Sequence, residues 1–270
     1  SLTYADLIIP GKSKKEILIS TNICHPSMAN NELSGPVVTT ALSQWLLSLE
    51  KRKYTYRILF IPETIGSITY LSKNYKTLQK KTIAGFNLSC LGDDRAYSFM
   101  PSRNGQTLSD KVALKVIKSK DKNFKLYDWN YRGSDERQYC APGIDLPIAS
   151  LMRSRYGAYK EYHTSLDKLG TVVTKKGLEE SYNLLKDCLY LLENNFRPRY
   201  KILCEPFLSK RNLYPKFTSK AGSKPIIMDI LTWCDGTNDV VDISNKLNLS
   251  IFEVKKAIKL LKKNNLIKLP

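Results

Sequence analysis

Residues 22–35, NICHPSMANNELSG, decide how this chain folds. An apolar run rich in β-branched residues, 16–23, leads into this stretch, and apolar residues at helical spacing follow it over 35–50. A buried strand, a polar loop and an amphipathic helix in that order make one strand–helix unit of an α/β sheet. Because such sheets bind ligands outside the carboxyl ends of their strands, the loop that carries His25 is the first candidate for a functional site.

The same alternation of strands and helices continues through the first 192 residues. It predicts a mostly parallel sheet with helices on both faces, a three-layer α/β/α sandwich. Right-handed crossovers then place the strand exits at residues 24, 62, 132 and 153 along one rim of the sheet. The further strands are predicted at 56–61, 83–91, 96–101 (antiparallel), 124–131 and 147–152, and the further helices at 67–79, 108–117 and 178–192.

A second, smaller domain is predicted at the C-terminal end. Residues 197–199 and the run 208–225, with its Pro, Gly, Ser and Lys, are typical of a linker. Three short helical patterns follow and end in a short strand, with Ser250 as the N-cap of the third helix. The predicted organisation is an α/β domain over residues 1–197, a linker over 198–221 and a winged helix-turn-helix over 222–270.

Composition limits the function classes. The 270 residues are 42% hydrophobic, and no window is apolar for long enough to cross a bilayer. Six Cys without a CxxC pair indicate reduced thiols, so we expect a cytoplasmic protein without a membrane partner. The chain begins at Ser1 rather than Met, almost directly in strand-like sequence, as a fragment would. The net charge of +18 is spread over both domains, which favours a solvated basic surface over a dedicated polyanion site.

Four ionisable residues fall on the predicted rim. The chain has two histidines, His25 and His163, and each lies just past a strand end. Glu63 follows an apolar strand, and Asp135 lies in the loop at residue 132. Two histidines and two carboxylates are consistent with a zinc site and a base, where the metal lowers the pKa of a bound water. The alternative is a metal-free rim with two structural histidines.

Four ordered segments resemble one known family. CHPSMANNELSG, PETIGS, GSDERQYCAPGIDLPIASLMRS and EYHTSLDKL are similar, in order and spacing, to an aminopeptidase-like family of the zinc exopeptidase superfamily. That family is often labelled polysaccharide-biosynthesis-associated and has a C-terminal winged helix. The resemblance covers nearly the whole chain. It implies a phosphorylase/hydrolase-like α/β/α sandwich with zinc at the carboxyl rim.

The resemblance also implies residue roles. His25 and His163 match the first and last metal-binding histidines, and Glu63 matches the glutamate that takes a proton from the metal-bound water. Asp135 matches the acidic residue of a Ser-Asp motif among the predicted metal ligands. Asn31 stands where relatives have an aspartate that bridges two zinc ions.

This chain departs from the family at its acidic ligands. An amide at Asn31 is a weaker ligand than a carboxylate, and Ser27, Thr64 and Ser89 also stand where relatives have acidic residues. We therefore expect one zinc ion at most, or none. Glu32 is a further oxygen donor, but its position next to Asn31 is expected to point it elsewhere.

Other rim residues admit two interpretations. Arg132 and Arg153 are predicted to bind an anionic group of the substrate; the alternative is that they pair with acidic loop residues. Cys24 and Cys140 flank the site and are expected to be buried, inert thiols.

The function predicted from these residues is zinc-dependent hydrolysis of a small peptide or amide. Two alternatives stay open: a catalytically inactive binding protein and a nucleic-acid-binding regulator. The third helix of the C-terminal domain is rich in Lys, but no Arg, Asn or Gln set stands at its first turns, where base edges would be read. A protein partner for the winged helix is therefore favoured over nucleic acid.

Overall fold

The computed structural model describes residues 1–211, 213 and 226–269. The chain divides into two compact units, Ser1–Glu193 and Asn194–Pro270. The predicted linker over 198–221 lies partly outside the described residues, which exclude 212 and 214–225. No helix of the described residues is long and apolar enough to cross a membrane.

The first unit is built on one seven-stranded sheet. The four central strands are parallel to one another, and a strand on each side of them runs antiparallel to its neighbour. Along the sheet the order is β1-β3-β2-β4-β7-β5-β6. The strands are β1 (Ala5–Ile9), β2 (Ser13–Asn22), β3 (Tyr54–Ile61), β4 (Thr82–Leu88), β5 (Ser98–Met100), β6 (Lys125–Leu126) and β7 (Ile148–Met152).

Helices cover both faces of this sheet. They are α1 (Ser34–Ser48), α2 (Ile65–Lys81), α3 (Leu108–Lys120), α4 (Glu136–Tyr139) and α5 (Lys175–Glu193). Helices α1 and α3 pack against α5, whereas α2 packs against α4. Leu18, Leu59 and Ile148 of the sheet share a buried cluster with α2 and α4. The predicted three-layer α/β/α sandwich with a mostly parallel sheet is confirmed.

The join between β2 and α1 fixes where the loop between them lies. Gly35, the second residue of α1, packs directly on the sheet. A Cβ atom there would lie 2.4 Å from Thr21 Oγ1 and 2.9 Å from the carbonyl oxygen of Leu88. Only a residue without a side chain lets α1 start this close to β2 and β4, so the loop from residue 23 to residue 33 is held against the sheet edge.

One predicted strand is wrong in length and direction. The pattern over 124–131 yields only the two residues of β6, followed by a single 3₁₀ turn, Trp129–Tyr131. Because β6 is parallel to β5 and β5 is antiparallel to β7, residue 132 does not follow a strand of the parallel set. The carboxyl rim is formed instead by the ends of β2, β3, β4 and β7. The exit of β4 was not among the predicted exits.

The second unit has the predicted helices and terminal strand. It contains β8 (Arg199–Tyr200), α6 (Ile226–Thr232), α7 (Val240–Lys246), α8 (Ile251–Lys263) and β9 (Ile267–Lys268). Strand β8, in the segment expected to be a linker, pairs antiparallel with β9. Ser250 caps α8 as predicted and accepts the N–H of Glu253. Helices α6, α7 and α8 share one buried core that includes Ile227, Ile230, Val240, Ile243, Val254 and Leu261.

We predict that Gly35→Ala destabilises the first unit by about 1–3 kcal/mol, because the added methyl group meets both the buried Thr21 hydroxyl and the backbone carbonyl of Leu88. The measurement is urea-induced unfolding followed by circular dichroism. Val37→Ala is the control, since Val37 lies on the same helix and is 55% exposed; its effect should stay within about 0.5 kcal/mol. Equal stability of Gly35→Ala and wild type would show that α1 does not depend on this close approach.

Candidate functional site

The two histidines of the chain meet at the carboxyl rim. His25 follows β2, and His163 lies in the loop after β7. Their ring centroids are 4.8 Å apart with the planes 77° from parallel. His163 also stacks on Tyr162 at 3.9 Å. The structure therefore brings together two residues that are 138 positions apart in the chain.

A buried carboxylate holds the two histidine loops together. Asp167 is 1% exposed. Its oxygens accept the backbone N–H groups of Asn30 at 2.7 Å and Asn31 at 3.0 Å, and the hydroxyl of Tyr159 at 3.0 Å. The backbone carbonyl of Asp167 also accepts the N–H of Ala29 at 3.0 Å. Asp167 is not among the residues predicted for the site, although it lies four positions after His163.

The loop after His25 contains a π-helical turn, Ala29–Leu33, that directs Glu32 into the site. Glu32 is 1% exposed, and its carboxylate accepts the side-chain N–H groups of Asn22 and Asn31 and the backbone N–H of Cys24 at 2.8–3.1 Å. The expectation that Glu32 points elsewhere is wrong. A π turn takes one more residue than an α turn, which changes the direction of each side chain after its start.

Asn31 lies beside Glu32 and is 4% exposed. Its side-chain N–H donates to Glu32, and its amide oxygen accepts the Cys90 thiol at 3.6 Å. Both ends of the amide therefore have protein partners.

Cys24 is exposed, so the expectation of a buried, inert thiol is wrong for this residue. Its sulfur, a ring nitrogen of His25 and a carboxylate oxygen of Glu32 all lie within 4.8 Å of one another. Partial burial raises the pKa of the Cys24 thiol, and the negative charges of Glu32 and Glu63 add to this. Cys140 is buried as expected and donates to the carbonyl of Leu146 at 3.3 Å.

Glu63 follows β3 and is half-buried. The Ser134 hydroxyl donates to Glu63 Oε1 at 2.6 Å and so fixes the orientation of this carboxylate. Burial raises the pKa of Glu32 to about 7, and the negative charge of Glu63 is the second largest cause of this increase. The two carboxylates therefore act on each other across the rim.

Asp135 supports the corner that carries Glu63. It is fully buried, and its Oδ1 accepts the N–H of Thr64 and the hydroxyl of Ser67, both at 2.7 Å. Thr64 has a φ of 61°, which an L-residue adopts only when its surroundings impose it. Asp135 Oδ2 has no partner among the described residues. Asp135 lies outside the group formed by Cys24, His25 and Glu32 and holds the backbone instead.

The predicted substrate-binding arginines occupy different surroundings. Arg153 is 2% exposed; its guanidinium stacks on Tyr97 at 3.7 Å and pairs with Glu180 of α5 at 3.0 Å. The prediction of a substrate-binding Arg153 does not fit this buried position. Arg132 is exposed, with its guanidinium 5.6 Å from the centre of the Trp129 ring.

The donor atoms at the rim fit one zinc ion. Zn²⁺ prefers four sulfur, nitrogen or oxygen ligands. In the part of the chain that the structure describes, the group of Cys24, His25 and Glu32 alone brings three such donors this close, and the ring of His163 adjoins His25. All hydrogen-bond donors to Glu32 are neutral N–H groups, whereas a buried carboxylate is usually paired with a cation or a metal.

The α/β/α sandwich of the first unit has the fold of known aminopeptidases. A zinc aminopeptidase from Bacillus subtilis matches 70% of this chain and 49% of its own with a TM-score of 0.59 at 17% identity. An aminopeptidase from Aneurinibacillus sp. strain AM-1 matches 70% of this chain and 47% of its own with a TM-score of 0.58 at 19% identity. At these identities the likeness shows the fold alone.

Family models identify both parts of the chain. Residues 1–195 match the family described as a domain of unknown function, DUF4910, and residues 197–269 match a winged helix-turn-helix family. The chain belongs to the DUF4910 family.

A Clostridium acetobutylicum protein, provisionally named a polysaccharide biosynthesis protein with an aminopeptidase-like domain, is 38% identical over all of this chain. A crystal structure of a provisionally named peptidase from that organism covers 99% of this chain, with a TM-score of 0.86 and 37% identity. This chain spans 62% of the relative and 60% of the crystallised chain.

We predict that Asp167→Asn loosens the histidine loops. The new amide has one acceptor oxygen and an N–H group that faces a backbone donor, so one buried donor loses its partner at a cost of roughly 1–3 kcal/mol. The measurement is hydrogen exchange of peptides that cover 29–33, which should become faster. Asp94→Asn, at an exposed position, is the control. Unchanged hydrogen exchange in Asp167→Asn would show that Asp167 does not hold the two histidine loops together.

We predict that Asp135 makes the metal-free protein less stable as the pH rises from about 4 to 7. Burial raises its pKa from 3.8 to about 7 in the folded protein, so folding favours the protonated form. That stabilisation is complete below the unfolded pKa and is lost as the pH rises through the folded pKa, by on the order of 3 kcal/mol. Unfolding with a chelator present should depend less on pH in Asp135→Asn than in wild type. Identical pH profiles would contradict the raised pKa.

Proposed function

We propose that the protein is a metal-dependent, aminopeptidase-like hydrolase that cleaves an amide bond in a small peptide or amide. The observation that carries this proposal is the position of Glu63. Its carboxylate is half-buried, is fixed by Ser134, and acts electrostatically on the donor group that contains Glu32. A base beside a group of metal-ligating side chains is the arrangement that metal-assisted hydrolysis requires.

Each residue has a distinct role in this proposal. Glu63 Oε1 accepts the hydrogen bond of the Ser134 hydroxyl. Glu63 Oε2 has no partner among the described residues, so it is available to take a proton from a water molecule. The same carboxyl group then returns the proton to the leaving amine. His25 would be a ligand of a zinc ion, with the ring of His163 beside it. The ion would supply a Lewis acid for the substrate carbonyl and the attacking water. Asp135 keeps the Glu63–Thr64 corner in place through the N–H of Thr64.

We further propose that the site holds one zinc ion rather than two. The positions of Ser27, Asn31, Thr64 and Ser89 offer no carboxylate for a second ion. The Thr64 hydroxyl accepts a hydrogen bond from the Arg137 guanidinium. The Asn31 amide is bonded to Glu32 through its N–H group and to Cys90 through its oxygen. A binding protein without catalysis is the second candidate, and the same loss of carboxylates is the observation that favours it.

We predict that Glu63→Gln lowers the hydrolysis of aminoacyl and short peptide amides by about 100-fold or more, since the amide cannot take the proton. The assay uses the full chain reconstituted with zinc, and zinc content is measured in the same samples. Glu50→Gln, the same change at an exposed position, is the matched control and should keep wild-type rates.

Equal rates for wild type and Glu63→Gln would remove Glu63 from the chemistry. Wild-type protein that binds zinc but cleaves none of the substrates would favour the binding-protein candidate instead.

A further inference from the structure

The carboxylate beside His25 comes from Glu32 and not from position 31. In the π turn the N–H of Leu33 donates to the carbonyl of Met28, five residues earlier, at 3.2 Å. The wider turn brings Glu32 under the rim, where Asn22 donates to both of its oxygens at 3.0–3.1 Å and the N–H of Cys24 donates at 3.0 Å. These neutral donors fix the carboxylate without neutralising its charge.

Asn31 contributes to this arrangement as a donor. Its N–H group points at Glu32 at 2.8 Å, so its amide oxygen faces the opposite way, towards Cys90. A carboxylate at position 31 would repel Glu32, whereas the amide stabilises it. Compared with a chain that has a carboxylate at position 31, the negative charge here lies one position later, on Glu32.

Cys24 adds a second donor, which becomes anionic when its thiol loses the proton to a metal ion. It directly precedes His25, it is exposed, and its sulfur lies within 4.8 Å of both the His25 nitrogen and the Glu32 oxygen. Ligand atoms about 2.0–2.3 Å from a tetrahedral zinc ion lie roughly 3.3–3.8 Å from one another. Thiolate, imidazole and carboxylate are all established classes of zinc ligand.

We propose that Cys24, His25 and Glu32 form a mononuclear zinc site in which the Cys24 thiolate binds the metal directly and the fourth position stays open for a water molecule. This inference rests on the proposed function, because it concerns the same rim. The thiolate and the carboxylate together balance the charge of Zn²⁺, which makes the ion a weaker electrophile than one held by a single anionic ligand. Such a site suits a substrate with a readily cleaved bond better than an ordinary aminoacyl amide.

The test is Co²⁺ titration of the full-length chain after zinc removal, with absorption spectroscopy and metal analysis. A cobalt–thiolate bond gives a charge-transfer band in the near ultraviolet that nitrogen and oxygen ligands do not give. We expect one Co²⁺ per chain and this band in wild type. Cys24→Ser should lose the band, and Cys204→Ser should keep it, since Cys204 is the other exposed cysteine and lies in the second unit.

Glu32→Gln is the second variant, and it should weaken Co²⁺ affinity by about tenfold or more. Glu50→Gln controls for the loss of a carboxylate, and circular dichroism confirms that each variant is folded. Wild-type protein that binds Co²⁺ without the thiolate band, or that binds two ions per chain, would overturn the proposal. So would Glu32→Gln with unchanged affinity.

The outcomes separate this proposal from the proposed function. A thiolate band with no amide hydrolysis supports the zinc site and rejects the hydrolase. Hydrolysis that depends on Glu63, with no thiolate band and no effect of Cys24→Ser on metal binding, supports the hydrolase and rejects the site.

Discussion

The site depends on the carboxylate of Asp167. The first histidine loop starts from β2 and the second from β7, and β4 separates these two strands in the sheet. Asp167 joins the two loops. Its side chain accepts hydrogen bonds from the backbone N–H groups of Asn30 and Asn31, and its backbone carbonyl accepts one from the N–H of Ala29. Three acceptors on one residue hold the start of the π turn. The same residue lies four positions from His163, so one anchor sets the positions of both histidines.

The acidic residues at the rim act as a group with one sign of charge. The charges that act on Glu32 are those of Glu63 and Asp135, and burial raises the pKa of both Glu32 and Asp135 to about 7. Folding therefore holds carboxylates together at an energetic cost. Natural proteins keep such an arrangement where function needs it. A cation at the rim relieves the repulsion, and both a metal ion and the amino group of a substrate have the required charge.

The sequence predicted the sandwich well because buried parallel strands and amphipathic helices have distinct periods. His25, His163 and Glu63 lie in the loops that follow β2, β7 and β3, as predicted, and their roles stay predictions. It failed where a side chain's direction depends on local backbone. Glu32 is turned inward by a π turn, which has no recognisable period in the sequence. Arg153 pairs with Glu180 of α5, a contact between distant parts of the chain that a local pattern does not predict. The strand predicted at 124–131 is wrong because β6 has only two residues at the sheet edge, too few to show a strand periodicity.

Net charge and site charge have opposite signs in this protein. The chain carries +18, yet three carboxyl groups, those of Glu32, Glu63 and Asp135, lie together at the rim. The net positive charge repels cations at long range, whereas these carboxylates attract them at short range. Screening at physiological salt limits the repulsion to about 8 Å, so a cation that reaches the rim is governed by the carboxylates. A metal ion bound by Cys24, His25 and Glu32 would lie within that distance of the carboxylates, so their attraction would act on it with little screening.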